Sequence, residues 1–281
     1  MMDDLVCIKF VNDFVEKALA EDIGKHDITS SYLIPKDSNC EFVISNKESI
    51  ILSGIDIAEL IFHTVDSSIK IEKSYSDGMA IDQPTKIMRG YGNARAILQA
   101  ERVALNILRH LSGIATLTGQ YVSVTKDHDV KILDTRKTTP LYRDLEKYAV
   151  RCGGAMNHRF RLDDGVLIKD NHIKIVGNIT KAIIDAKKLA PFLTKIEVEC
   201  DNLTQVEEAI KAKADVIMLD NMSIDIIKQA VAIINKQCLI EVSGNISLEN
   251  IANLCKTGID YISVGRLTHS APNVDLGLAI L

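Results

Sequence analysis

The chain has no tryptophan and only five prolines, and aromatic side chains make up just 5% of it. Nowhere do its apolar residues run on for the ~20 positions that a membrane-spanning helix needs, so membrane insertion is not expected. The opening stretch MMDDLVCIKF begins acidic and lacks the basic, apolar, small-residue order of a signal peptide, which predicts a cytoplasmic protein. Six cysteines, at positions 7, 40, 152, 200, 238 and 255, form no C-x-x-C pair and no metal-ligand spacing with histidine. They read as buried fillers or surface thiols, and disulfides are not expected in a reducing compartment. The formal net charge is -5, and no basic domain with interleaved aromatics is present, so a nucleic-acid partner is not expected.

What the chain does have is a local excess of cations. Between Arg136 and Lys174 stand nine lysines and arginines and two histidines, six of the nine and both histidines within segments reading DTRKTTP, RCGGAMNHRFR and LIKDNH. An acidic chain concentrates cations in this way where it has an anion to hold. The first and last of these segments adjoin apolar, strand-like runs, VKILD and VLIK, so a scaffold can present them together. The expected ligand is a multiply charged anion.

At 281 residues and 47% hydrophobic, the chain can bury one large core, or a large one and a smaller one. Helical spacing of Val11, Phe14, Val15, Ala18 and Leu19 predicts a helix over residues 3–23, stopped by Gly24. Short β-like runs follow (CEFVIS, SIIL, IKIEKSYS, TKIMRGYG), with a helical interlude at IDIAELIFHTV and a turn signal at Asp77-Gly78. A long helix is expected from about Arg95 to Ser112, closed by Gly113, with Ile97, Ala100, Val103, Ala104, Ile107, Leu108 and Leu111 as its apolar stripe. Arg95, Arg102 and Arg109 fall on the opposite side, which by itself reads as a solvated basic face.

From residue 130 the rhythm changes. Apolar runs (VKILD, VLIKD, IEVEC, VIMLD, LIEVSG, YISVG) alternate with amphipathic helices such as NLTQVEEAIKAKA and SLENIANLCKTG, the pattern of a parallel sheet covered on both faces. Asp134, Lys169, Glu199, Asp220, Ser243 and Gly265 occupy or adjoin the carboxyl ends of these runs, where a (β/α) barrel builds its active site. No G-x-G-x-x-G follows any strand, which disfavours a Rossmann sheet. Six strands are visible and one more is expected. The late loops SGNIS and VGRLT put glycine and hydroxyl groups where a barrel commonly binds phosphate.

Glu199 and Asp220, one βα unit apart, should be neighbours at the barrel mouth. They can hold Mg²⁺, accept ribose hydroxyls or stabilise a developing cation, or else merely cap helices and neutralise lysines. Arg136, Lys137, His158, Arg159 and Arg161 can clamp carboxylates. Lys169 at a strand end could equally be a Schiff-base nucleophile.

Taken together, EDIGKHDITS, AERVALNILRHLSGIAT, DTRKTTP, EKYAVRCGGAMNHR, LIKDNHI, EVEC, LDNM, EVSGNI and SVGRLTHSAP resemble the quinolinate phosphoribosyltransferase family in its order, over nearly the whole chain. The resemblance implies an α/β fold: an N-terminal α/β sandwich (1–112, joined by 271–281), then an incomplete (β/α) barrel (113–270). It further implies a homodimer or higher homo-oligomer whose sites lie between subunits. The reaction implied joins quinolinate to phosphoribosyl pyrophosphate, giving nicotinate mononucleotide, pyrophosphate and CO₂, with Mg²⁺ as cofactor. On the matching positions, Arg102, Arg136, His158, Arg159 and Lys169 look like the quinolinate set, with Lys137 between the two substrates. Glu199 and Asp220 look like the ribose and metal-region carboxylates, reaching Mg²⁺ indirectly or through water, and Lys137, Lys169, Glu199 and Asp220 are the catalytic candidates. Ser243, Gly244 and Gly265 look like the 5′-phosphate cradle.

Two positions depart from the family pattern. Leu141 stands where the family's KTTPG loop has its glycine, and Arg161 replaces the glycine of NHR-x-GL. The rival readings are a paralogous branch associated with molybdenum transport, a Schiff-base aldolase using Lys169, and a non-catalytic anion-binding protein.

Overall fold

The computed structural model describes residues 6–281, which fall into two compact units. One takes the chain up to Gly119 together with Thr139–Gly154 and Ser270–Leu281; the other takes Gln120–Thr138 and Ala155–His269.

In the first unit the N-terminal helix spans Ile8–Ile23 and buries Val11, Val15 and Leu19, spaced four apart along one face. It stops where Gly24 takes φ 60°; residues 3–5 of the expected helix lie outside the described residues. An antiparallel sheet is built from β1 (Asn39–Asn46), β3 (Lys70–Lys73), β5 (Lys86–Asn93) and the C-terminal strand β12 (Leu276–Ile280), in the order β12-β1-β5-β3. The short strands β2 (Ile50–Ile51) and β4 (Ala80–Ile81) pair separately. Phe42 on β1 stacks on Phe62 of the helix Ile55–Val65 with ring centroids 4.7 Å apart, and this places the apolar face of that helix on the sheet. The turn at Asp77-Gly78 forms, with Gly78 at φ 85°.

The long helix corrects the sequence reading in two respects. It runs Ala94–Thr125, about three turns beyond the expected stop at Gly113. A Cβ at position 113 would strike the Pro272 carbonyl, so this glycine serves close packing inside the helix, not its termination. The predicted apolar stripe is buried throughout. Its three arginines do not share one solvated face. Arg95 donates to the Ser31 and Ile34 carbonyls and Arg109 Nε to the Val274 carbonyl, whereas Arg102 is exposed.

The second unit is a parallel sheet of β6 (Lys131–Leu133), β7 (Val166–Ile168), β8 (Ile196–Cys200), β9 (Val216–Asp220), β10 (Leu239–Ser243) and β11 (Tyr261–Ser263). Its order, β6-β11-β10-β9-β8-β7, sets the first strand beside the last, and among the described residues no ladder joins β6 to β7. This is the incomplete barrel. In place of a further strand, a single parallel bridge joins Leu133 to Met156. Helices Ile179–Leu189, Leu203–Lys211 and Ile224–Ile234 are capped by the side chains of Asn178, Asn202 and Ser223, which accept from backbone N–H groups in the first turn. The last expected helix shrinks to Ile251–Leu254, because the Asn250 amide bonds back to Ser247 N–H and Asn245 C=O and holds that segment as a turn.

Candidate active site

Strand parity builds the site. Leu167 on β7, Glu199 on β8, Met218 and Asp220 on β9, Glu241 and Ser243 on β10, and Ser263 on β11 share one face and line a cavity of about 510 Å³. Their alternates Val198, Ile217, Leu219, Ile240, Val242 and Ile262 are buried on the other face. The cavity is lined entirely from the second unit, by nine of the eleven predicted site residues: Arg136, Lys137, His158, Arg159, Lys169, Glu199, Asp220, Ser243 and Gly244. Gly265 adjoins it, since a Cβ there would stand 3.0 Å from Lys137 Cδ. Arg102 lies in the first unit.

The cations are held with free hydrogen-bonding capacity. Nε of both Arg136 and Arg159 is buried without a hydrogen-bond partner, while Arg159 Nη1 donates to the Gly165 carbonyl at 2.8 Å. Burial, and then the charge of Arg136, lower the Arg159 guanidinium from its usual range. Two adjacent guanidiniums with unused donors are a site for an anion with two acceptors. Lys169 pairs with Glu199, and its backbone N–H donates to His172 Nδ1 at 2.9 Å, at the start of the helix Asp170–Val176. The Lys137 backbone is held from both sides: its N–H donates to Thr135 Oγ1 and its C=O accepts from Thr268 Oγ1 at 2.8 Å.

The glycine loop lines the same cavity. Gly244 sits at φ 97°, and a Cβ there would collide with the Asn221 side chain. Asn221, itself at φ 54°, donates its backbone N–H to Ser243 C=O at 3.0 Å and its amide to Asp220 Oδ2 at 2.8 Å. The loops after β9 and β10 therefore brace each other, which orients the Asp220 carboxylate.

His158 is fixed on three sides. The fully buried Asp134 carboxylate accepts the His158 backbone N–H at 2.9 Å and the Asn157 amide at 2.6 Å. The Arg159 N–H points at Nδ1 from 2.8 Å, which assigns the ring proton to Nε2, 3.0 Å from Glu197 Oε2. Both ring nitrogens are thus engaged with protein. Burial, and then the Glu197 charge, push the Glu241 carboxyl well above the usual range.

Glu197 and Glu241 are what the sequence reading missed. The signal was available: each lies two residues before a named site residue, Glu199 or Ser243, and so on the same strand face, and a carboxylate inside an apolar strand needs a reason. Asn221 and Asn245 had no comparable signal. The two departures from the family pattern differ in kind. Leu141 adopts φ 68°, the left-handed conformation open to a glycine, whereas Arg161 is not among the residues of positive φ.

Two family models match the chain: quinolinate phosphoribosyl transferase, N-terminal domain, over residues 27–112, and the C-terminal domain over 114–279. The probable nicotinate-nucleotide pyrophosphorylase (carboxylating) of Methanocaldococcus jannaschii is 45% identical over 276 residues, covering 95% of this chain and 96% of that protein. Its counterpart from Bacillus subtilis is 41% identical over 279 residues, covering 99% and 95%. The structure of the nicotinate-nucleotide pyrophosphorylase from Francisella tularensis superposes with a TM-score of 0.94 at 42% identity, covering 98% of each chain.

Proposed function

The chain belongs to the quinolinate phosphoribosyl transferase family, and from that premise we propose how its pocket performs the reaction. The enzyme transfers phosphoribosyl from phosphoribosyl pyrophosphate to quinolinate with loss of CO₂, forming nicotinate mononucleotide for NAD biosynthesis. The observation that carries the reading is that one cavity is lined both by Arg136 and Arg159, with their unpartnered guanidinium donors, and by the Gly244 loop with Glu199 and Asp220.

Arg136 and Arg159 take the two carboxylates of quinolinate, and Lys169, held by Glu199, stands in the same cavity to assist them. Gly244 and Gly265 receive the 5′-phosphate because they lack a Cβ that would hold it off, and Ser243 adds a hydroxyl donor beside them. The ring nitrogen attacks the anomeric carbon as the bond to pyrophosphate breaks, so positive charge develops on the ribose. Glu199 and Asp220 face that charge, and Lys137 neutralises the departing pyrophosphate. In the pyridinium that results, the bond from ring carbon to the adjacent carboxylate breaks, CO₂ leaves, the ring accepts the electron pair, and the carbon takes up a proton.

Glu199 and Asp220 fit Mg²⁺, a cation that keeps several waters and is usually held by one or two carboxylates plus substrate phosphates. When bound, it would supply charge neutralisation at the pyrophosphate. Arg102 completes the quinolinate site of a second copy in a homodimer. All six cysteines are free, which fits a cytoplasmic location. Among the described residues no helix is long and apolar enough to cross a membrane.

The test is direct. Purified protein given quinolinate, phosphoribosyl pyrophosphate and Mg²⁺ should form nicotinate mononucleotide and CO₂, and omission of any one should abolish both. Equal turnover of nicotinate would refute the decarboxylating assignment, since the second carboxylate's partners would then have no purpose.

A further inference from the structure

Two carboxylates that the reaction just described does not use stand at the pocket, Glu241 in its lining and Glu197 in the lining of a neighbouring cavity. Glu241 is 2% exposed and Glu197 8%, and Oε1 of each lacks a hydrogen-bond partner. Their Oε2 atoms stand 3.7 and 3.0 Å from His158 Nε2. Beneath this trio a second cavity, of about 540 Å³, opens at the amino ends of the strands beside Val216, Leu239 and Tyr261, and it shares His158, Arg159 and Glu241 with the pocket above. The trio is a partition inside the barrel.

We propose that Glu241 is a positioning residue for quinolinate: as a neutral carboxyl packed beside Glu197, the group that holds His158 Nε2, it keeps Glu197 and through it the His158 ring in place at the dicarboxylate site, and spares a dianionic substrate a further negative charge. This rests on the quinolinate reading of the pocket. Candidate ligand atoms of His158, Glu197 and Glu241 lie within 4.8 Å of one another, and two buried carboxylates that close do not both ionise cheaply. His158 Nε2 is directed at Glu197 at 3.0 Å and stands 3.7 Å from Glu241, so the ring gives Glu241 no comparable hydrogen bond. Glu241 is the more deeply buried, and the upward push on its carboxyl agrees with its holding the proton. The titratable and charged groups around it are Glu197 and Glu199 from β8, His158 and Arg159 from the loop before β7, and Tyr261 paired with it on β11; β9 presents the neutral Met218 at the paired position. Loss of the Glu241 proton at rising pH adds a negative charge beside the dicarboxylate site and repels quinolinate.

The experiment is steady-state kinetics on the full chain with each substrate varied separately, from neutral to alkaline pH, for wild type and three variants. Glu241→Ala removes the group, Glu241→Met fills its volume without a donor and guards against misfolding, and Glu241→Gln keeps a neutral donor. Ala and Met should raise the KM for quinolinate at least about tenfold, with the KM for phosphoribosyl pyrophosphate within about twofold. Gln should recover most of that loss, and it should flatten the alkaline rise in quinolinate KM that wild type shows. A Gln variant as impaired as Met, a wild-type KM for quinolinate that does not change with pH, or equal effects on both substrates would overturn the inference. So would a stoichiometric divalent metal in the purified protein that is lost in Glu241→Ala, because the trio would then be a metal site. A wild-type enzyme that does not consume quinolinate would instead overturn the functional reading, whereas active wild type with an unaffected Met variant overturns only the role of Glu241.

Discussion

At the residue scale, groups proposed to face developing charge differ from groups that only shape the chain. Glu199 and Asp220 are of the first kind, and replacing either with alanine should lower turnover at least about 10²-fold, the scale of losing one electrostatic stabiliser of a transition state. Steady-state rates near wild type in both variants would return them to capping and neutralising lysines. Leu141 is of the second kind. It holds φ 68° with 82% of its surface exposed, so its side chain contributes little burial while its backbone carries a left-handed cost of roughly 1–2 kcal/mol. Leu141→Gly relieves that cost and adds some unfolded-chain entropy, leaving a net gain of about 0.5–1 kcal/mol. Urea denaturation should show the gain, and a loss of stability would mean that the exposed leucine is packed against something.

At the scale of elements, two glycines look alike in sequence and do different things. Gly113 lets the helix Ala94–Thr125 pass the Pro272 carbonyl. Gly113→Ala should cost about 1–3 kcal/mol through overpacking and leave both KM values near wild type, checked by denaturation beside kinetics. Gly244 instead holds φ 97° against the Asn221 side chain in the proposed phosphate cradle. Gly244→Ala should raise the KM for phosphoribosyl pyrophosphate at least about tenfold, because the loop must move where backbone N–H groups meet phosphate. An unchanged KM for that substrate would take the phosphate from this loop. The elements themselves were legible because apolar residues recur every two or every three to four positions. Where one stops was not, since Gly113 signals a helix end locally and only its neighbour at Pro272 says otherwise.

At the scale of the whole molecule, ten of the eleven predicted site residues line or adjoin one cavity of the second unit, and Arg102 is exposed on a helix of the first. If Arg102 serves a second copy, an Arg102→Ala chain mixed with a Lys169→Ala chain, each inactive alone, should regain activity. One of the two sites in such a heterodimer carries both intact residues. No recovery, with subunit exchange verified by mass, would confine Arg102 to its own chain or to folding.

The sequence alone was enough for the alternating α/β rhythm, the strand ends and the family, since periodicity, charge clustering and motif order are all local along the chain. Only the tertiary structure decided that Arg95 and Arg109 bind carbonyls remote in sequence, that Arg136 and Arg159 keep unpartnered donors, and that His158 meets two buried glutamates. Those facts depend on which side chains meet across strands far apart in sequence, where burial pushes an ordinary carboxyl above its usual range.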